Sequence, residues 1–186
     1  MMNTATRSFI EASDGLIRSL KEILAQGTSL LDCLSDEAYI AKTPLASGAS
    51  IGAHYRHCLD HFSSLLAGDL AGGINYDTRK RDPILETDRA SARSMTAHLA
   101  DLATSLDAKI LSSPVIVRCG VSYADKESSV VNSSYEREVM FAISHAVHHY
   151  ALIAMIAHSL GVTMPAGFGV APSTMHYRKE NEAAWS

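Results

Sequence analysis

Apolar side chains recur at steps of three, four or seven residues along four stretches of the sequence, and this spacing predicts four amphipathic helices. The predicted helices cover about residues 6–34, 51–68, 87–110 and 134–160. The apolar stripe of the second helix consists of Ile51, Tyr55, Cys58, Leu59, Phe62, Leu65 and Leu66. Four long helices favour an all-α fold in which an antiparallel four-helix bundle buries the stripes in one core.

The ends of these helices carry local signals. Ser50 is suited to cap the second helix, and the run from Ser133 to Glu136 has the capping-box pattern at the start of the fourth. Gly161 is placed to end the fourth helix. Gly27 weakens the first helix, so we expect a bend or a break there.

Between the third and fourth helices the pattern changes from helical to extended. Residues 115–121 and 128–131 are separated by polar residues 124–127 and predict a small β-hairpin. Beyond the fourth helix, proline and glycine predict an irregular tail over residues 161–186, with Phe168 and Val170 covering the bundle. We therefore expect residues 1–186 to form a single domain.

The amino-acid composition limits the classes of function that are possible. Of the 186 residues 47% are apolar and 19% charged, which disfavours disorder. A net charge of −4 argues against a nucleic-acid partner, and the one basic cluster, residues 79–81, is flanked by Asp77 and Asp82. The three cysteines form no CxxC motif. With no signal peptide and no uninterrupted apolar run of about 20 residues, we expect no membrane partner and a cytoplasmic location.

The histidines are distributed unevenly. Six of the nine fall in two short windows on the second and fourth predicted helices: His54, His57, His61, His145, His148 and His149. Residues three, four or seven apart share a helix face, so each window forms a stripe at the rim of an apolar face. Two such stripes can close on one metal ion, because imidazole is the commonest metal ligand among side chains.

This spacing predicts a three-histidine site. His145 and His149 lie on adjacent turns of one face, and the third imidazole would come from the second helix, where His57 and His61 both qualify and His61 is nearer the middle of the stripe. Three neutral imidazoles leave a coordination position for water or substrate, as catalytic sites do. They suit Zn, Ni, Cu and Fe alike.

Ligand histidines need their second ring nitrogen held by an acceptor, and Asp60 or Glu138 is placed in sequence to do so. The alternative is a metal-free bundle whose histidines are structural. The HExxH motif is absent, and Cys58 falls on the apolar stripe. The remaining histidines stand alone and are expected at the surface or in the tail: His98, His158 and His176.

The two histidine windows resemble those of a known family. The segments from Ser50 to His61 and from Ser144 to Ile153 are similar to the metal-binding motifs of the DinB-like superfamily, a four-helix group that includes YfiT-like proteins. Residues 76–82 and 168–174 resemble one branch of that group. The resemblance implies an up-down-down-up bundle, here with the hairpin between helices 3 and 4, and a homodimer.

The resemblance also implies a ligand set. His57 matches the family's ligand on the second helix, and His145 and His149 match its HxxxH pair. Four further side chains are alternative ligands or partners of the ligands: His54, His61, His148 and Asp60. The implied cofactor is a divalent metal ion, with Ni or Zn as first choices and Fe or Mn next.

The implied activity is that of a metal-dependent, thiol-dependent transferase or hydrolase acting on a small molecule such as a low-molecular-weight thiol. Tyr76, Arg79 and Arg81 are candidates for binding the substrate, since arginine can clamp a carboxylate. The alternative function is a non-catalytic metal-binding or stress-response module.

Overall fold

The computed structural model of the protein describes residues 4–67 and 72–182. Its helices are α1 Thr4–Cys33, α2 Asp36–Ile40, α3 Ile51–Leu66, α4 Ile84–Thr87, α5 Arg89–Ala103, α6 Ala108–Leu111, α7 Tyr135–Ser159 and α8 Pro172–Glu182. A short 3-10 turn occupies Pro44–Ala46, and the strands are β1 Ile74–Asn75, β2 Pro114–Cys119 and β3 Ser129–Ser134. The four long helices α1, α3, α5 and α7 form the bundle, with α3 and α1 each packed against both α5 and α7.

Contacts at both ends of α3 and α7 give their relative direction. The ring of Tyr55 stacks on that of Tyr150, whereas the hydroxyl of Tyr135 donates a hydrogen bond to the carbonyl of Leu65. The beginning of α3 thus faces the end of α7, and the two helices are antiparallel.

The directions of α1 and α5 complete the topology. Leu16 lines a groove with Met140 of α7, and the carbonyl of Ile23 accepts from Tyr150, so α1 runs parallel to α7. α5 begins beside the end of α1, where Arg89 donates to the carbonyl of Leu31, and then packs back along α1. The predicted up-down-down-up four-helix bundle is confirmed.

α1 continues as a helix through Gly27, so the break that the sequence suggested is absent. A Cβ atom at this position would overlap the hydroxyl groups of Tyr55 and Tyr150. The glycine therefore admits two buried tyrosines from neighbouring helices against the backbone of α1. Its role is close packing and not interruption of the helix.

The third predicted helix is shorter than expected. α5 ends at Ala103, and a separate turn of helix, α6, begins after Asp107, whose side chain accepts a hydrogen bond from the amide of Ile110. An aspartate that caps a new helix competes with continuation of the old one, which explains the break in an otherwise regular apolar pattern. α3 ends at Leu66, and the predicted extension to residue 68 reaches beyond the described residues.

The predicted hairpin is confirmed and is part of a slightly larger sheet. β2 and β3 are antiparallel, with Val115 opposite Ser133 and Val117 opposite Val131. The two-residue strand β1 pairs parallel to β2, with Ile74 opposite Val117. Such a short strand has no periodicity of its own, so the sequence alone does not reveal it.

The ends of α7 lie within one residue of the predicted ends of the fourth helix. Ser134, one position after the predicted cap, accepts a hydrogen bond from the amide of Arg137 and begins α7. Gly161 follows the end of α7 with a φ of +74°, the left-handed conformation that favours glycine. Ser50 caps α3 as expected, by accepting from the amide of Ala53.

The tail is not irregular throughout, which corrects the sequence-based expectation. Phe168 is buried and stacks on Tyr150 at 4.8 Å between ring centroids, so the predicted cover over the bundle exists at this residue. Pro172 then begins α8, consistent with the preference of proline for the first turn of a helix. Residues 183–186 of the predicted tail lie outside the described residues.

α7 is long and apolar enough to cross a membrane by length and composition alone. The core helix of a bundle has the same properties. α7 contributes Val139, Ala142 and Ala146 to the buried core, whereas Met140 and Met155 of the same helix are exposed.

Candidate metal centre

The antiparallel packing of α3 and α7 brings the two histidine stripes face to face. His57 from α3 and His145 and His149 from α7 each offer a ring nitrogen, and these atoms all lie within 4.8 Å of one another. The Nε2 atoms of His57 and His145 are 2.9 Å apart. The three side chains are half-buried, so the cluster has protein on one side and an opening on the other.

The donor atoms fit a divalent metal ion. A tetrahedral ion with metal–nitrogen bonds of about 2.0–2.1 Å separates neighbouring donors by about 3.3 Å, which lies within the spread of this cluster. Three imidazoles would provide three of the four donors of a tetrahedral site. This group can hold a metal ion.

The surroundings keep these imidazoles neutral, as metal ligation requires. Burial, followed by the nearby charge of His145, lowers the pKa of His57 to about 4. Burial and the same neighbour lower the pKa of His149 to about 3, and burial also lowers the pKa of His145. A neutral imidazole has a free nitrogen lone pair at physiological pH without first losing a proton.

His61 lies beside the cluster but has a different partner. Its ring centroid is 4.1 Å from that of His145, yet its Nε2 faces Nη1 of Arg79 at 3.2 Å. Its Nδ1 is buried without a hydrogen-bond partner, and burial lowers the pKa of His61 to about 2. Of the two candidates on α3, the structure groups His57 and not His61 with the pair on α7.

His54 and His148 flank the cluster at its rim. Nδ1 of His54 lies 3.0 Å from Nδ1 of His149, which makes His54 a partner of that candidate ligand. Nε2 of His54 is buried with no partner. His148 is exposed, and its ring lies edge-on to His149 at 5.3 Å.

Neither candidate carboxylate holds a histidine ring, which corrects that prediction. Asp60 is buried and accepts a hydrogen bond from Arg56 at 2.7 Å. Glu138 is buried and accepts from the hydroxyl groups of Tyr76, at 3.0 Å, and Ser133, at 2.7 Å. Arg56 lies four positions before Asp60 on the same face of α3, so this carboxylate pairs with the arginine.

Two of the three candidate substrate-binding residues lie at the cluster. Tyr76 is buried and stacks on His61 at 5.0 Å. Arg79 reaches His61, whereas Arg81 is exposed and takes a φ of +48° in the loop. The loop that follows β1 therefore places a tyrosine and a guanidinium beside the histidines.

Phe141 is a neighbour of the cluster that the sequence analysis did not single out. Its ring stacks on His145 at 5.7 Å between centroids. It precedes His145 by four positions, so the helical spacing of α7 was the available signal.

The expectations for the other candidate residues are confirmed. Cys58 is buried in the core, and the three isolated histidines are exposed, namely His98, His158 and His176.

Comparison with known proteins defines the fold class. No family model matches the chain. A solved structure of a DinB-like protein from Bacillus cereus aligns with a TM-score of 0.52 and 16% sequence identity, covering 82% of this chain and 95% of that one. The chain therefore has the fold of that DinB-like protein.

One curated relative is similar over part of the chain. FK506-binding protein 5 of Rhizopus delemar is 32% identical over 107 residues, which amount to 58% of this chain. The match spans 28% of the relative's own length. Most of the relative's length therefore lies outside its similarity to this chain.

Proposed function

We propose that this protein is a DinB-like protein that binds one divalent metal ion through His57, His145 and His149. The observation that carries the proposal is the convergence of these ring nitrogens, within 4.8 Å of one another, from two helices of a bundle with a DinB-like fold. Nickel and zinc are the first choices for the ion, and iron and manganese follow, as the resemblance to the DinB-like superfamily implies. Imidazole donors alone suit zinc, nickel, copper and iron alike.

We further propose that the site is catalytic, as a metal-dependent and thiol-dependent transferase or hydrolase. A metal ion bound with an open position lowers the pKa of a coordinated water or thiol and so supplies a nucleophile at neutral pH. The protein's own contribution would be to fix three ligands, to exclude water on the core side with Phe141 and Tyr76, and to orient a substrate with Arg79.

A non-catalytic metal-binding or stress-response module is the second candidate. This candidate is favoured by the hydrogen bonds of the two buried carboxylates. Asp60 accepts from Arg56 and Glu138 accepts from Tyr76, so neither is available as a general base at the cluster. In that case metal binding would stabilise the fold or report metal supply without turnover.

Metal binding is tested with protein purified without a histidine tag. We expect elemental analysis and equilibrium dialysis against Ni²⁺ or Zn²⁺ to give one ion per chain. His145→Ala should remove this binding, and His158→Ala, which deletes an exposed histidine of the same helix, should not. A wild-type protein that takes up no metal, or equal binding by the two variants, would contradict the proposal.

Catalysis is tested separately with the metal-loaded protein. Thiol conjugates are offered in the presence of Zn²⁺, Ni²⁺, Mn²⁺ or Fe²⁺, and turnover should be lost in His145→Ala while its circular dichroism spectrum stays helical. Metal binding without turnover would favour the non-catalytic module. We also expect the protein to be cytoplasmic. In analytical ultracentrifugation we expect it to sediment as a homodimer.

A further inference from the structure

Arg79 is a cation whose guanidinium contacts a histidine nitrogen. Its side chain is half-buried, with Nη1 directed at a histidine nitrogen and with a buried Nε that has no acceptor. Within residues 4–67 and 72–182, no ion pair includes it. Burial is the main cause that lowers the pKa of this guanidinium, and Arg81 adds to it.

The carboxylates near Arg79 are engaged elsewhere. Asp60 accepts from Arg56, which also donates to Glu86 at 3.1 Å. Asp77 accepts from the hydroxyl of Ser128 and from the amide of Gly120. Asp60 and Asp77 still favour the charged form of Arg79 through space, but within the described residues neither carboxylate forms an ion pair with it.

The candidate metal centre adds to this positive charge. Its three ligands are neutral imidazoles, so a divalent ion bound there would keep its full charge, and in the described part of the chain no carboxylate belongs to the cluster. This step depends on the proposed function. A cation beside a metal ion, both partly withdrawn from water, attracts an anion more strongly than either would in bulk solvent.

A cavity of about 320 Å³ adjoins Arg79. Arg79 and Lys80 line it together with the hydroxyl-bearing residues Ser63, Ser64 and Thr78. Asp60 and Asp82 also line it, but Asp60 is paired with Arg56, and Asp82 accepts from the amide of Ile84. The volume lies at the lower end of the range typical of small-molecule sites.

We propose that the site takes a small carboxylate, whose charged group is held by Arg79 next to the histidine cluster and whose remainder enters this cavity. The guanidinium provides a planar array of N–H donors that matches a carboxylate, and such charge-assisted hydrogen bonds are stronger than neutral ones. The proposal names the chemical class of ligand and makes Arg79 the residue that selects it.

The test compares two probes of equal size, butyrate and its neutral amide, butyramide. Their binding is followed by NMR in Zn²⁺-loaded and in metal-stripped protein, with the side-chain Nε–H signal of Arg79 as the local reporter. We expect butyrate to move this signal and to bind the Zn²⁺-loaded protein about tenfold or more tightly than the amide, with a smaller preference in the metal-stripped protein.

Three variants identify the origin of that preference. Arg79→Gln should abolish it, and Arg79→Lys, which keeps the charge but not the fork of donors, should retain part of it. Arg118→Gln removes one charge from β2, outside the site, and should leave the preference intact. Equal affinity of the two probes for the wild type, or a preference that survives in Arg79→Gln, would overturn the proposal.

Metal titration of every variant separates this inference from the proposed function. A carboxylate preference in a wild-type protein that binds no Zn²⁺ would refute the metal centre and support the anion site. Stoichiometric Zn²⁺ binding without any preference for butyrate would support the metal centre and refute the anion site.

Discussion

The Nε2 atoms of His57 and His145 lie 2.9 Å apart although the two residues are separated by 88 positions in the sequence. Two neutral imidazoles do not favour facing nitrogen lone pairs, so a proton or a cation between the rings is needed to make the approach favourable. With His149 a third nitrogen within 4.8 Å, a metal ion satisfies all three donors at once. The predictions below follow from this geometry and from the packing that produces it.

Metal binding should stabilise the folded protein. A ligand that binds only the native state contributes about 2.7 kcal/mol when its free concentration is 100 times the dissociation constant. Added Zn²⁺ should therefore raise the melting temperature of the wild type measured by calorimetry. His145→Ala should melt at the same temperature with and without Zn²⁺, whereas His98→Ala, which alters an exposed histidine on another helix, should respond as the wild type does. A Zn²⁺ response in His145→Ala would argue against the assigned ligand set.

His54 should tune the affinity for the metal without being a ligand. Its Nδ1 lies 3.0 Å from Nδ1 of His149 and can fix the orientation and tautomer of that ring. Replacing His54 with Ala should weaken Zn²⁺ binding by about 10- to 100-fold, the usual effect of losing such a partner, and leave the stoichiometry unchanged. His54→Gln, which keeps a hydrogen-bonding group, should recover part of the affinity. Complete loss of binding in His54→Ala would instead make His54 a ligand.

Gly27 should be intolerant of even the smallest side chain. A methyl group there would overlap the hydroxyl groups of Tyr55 and Tyr150, and forced overpacking of this kind costs about 1–3 kcal/mol in the free energy of unfolding. Gly15 lies in the same helix with nothing within 4 Å of its added Cβ. Gly15→Ala should therefore stabilise the protein, by about 0.5–1 kcal/mol from helix propensity. Urea denaturation of the two variants checks both signs, and similar effects at the two positions would refute this account of the packing.

The metal-free protein should lose stability as the pH falls below the ordinary histidine pKa of 6.5. Burial lowers the pKa of folded His57 to about 4 and that of His149 to about 3, so the unfolded chain binds more protons than the native state between these values and 6.5. The urea midpoint should fall from pH 7 to pH 5, and His57→Gln should reduce the slope. A midpoint that is independent of pH over this interval would contradict the neutral, buried state of the histidines.

The bundle could be predicted from the sequence because its stripes are long and regular. Ser50 and Gly161 mark helix ends that the structure confirms. Features that depend on distant residues could not be obtained in this way. The two residues of β1 become a strand only by pairing with β2, and Gly27 is explained only by the tyrosines that approach it from other helices.

In the candidate site, too, some features could be predicted from the sequence and others depend on distant residues. Helical spacing was sufficient to select the pair His145 and His149, but it could not separate His57 from His61 on α3. The distinction depends on Arg79, which reaches His61 from a loop 18 positions further along the chain. The partner of Asp60, in contrast, could have been predicted, because Arg56 lies four positions earlier on the same helix and oppositely charged side chains pair at that spacing.

The central claim is that imidazoles from two helices bind a single ion, and X-ray absorption spectroscopy of the metal-loaded protein tests it most directly. We expect the spectrum of the Zn²⁺ or Ni²⁺ form to show three imidazole ligands, with zinc–nitrogen distances of about 2.0–2.1 Å, and at least one further light-atom ligand. His57→Ala and His145→Ala should each lose that signature, since they remove ligands from opposite helices. A wild-type spectrum without imidazole scattering, or one that persists in both variants, would contradict the account.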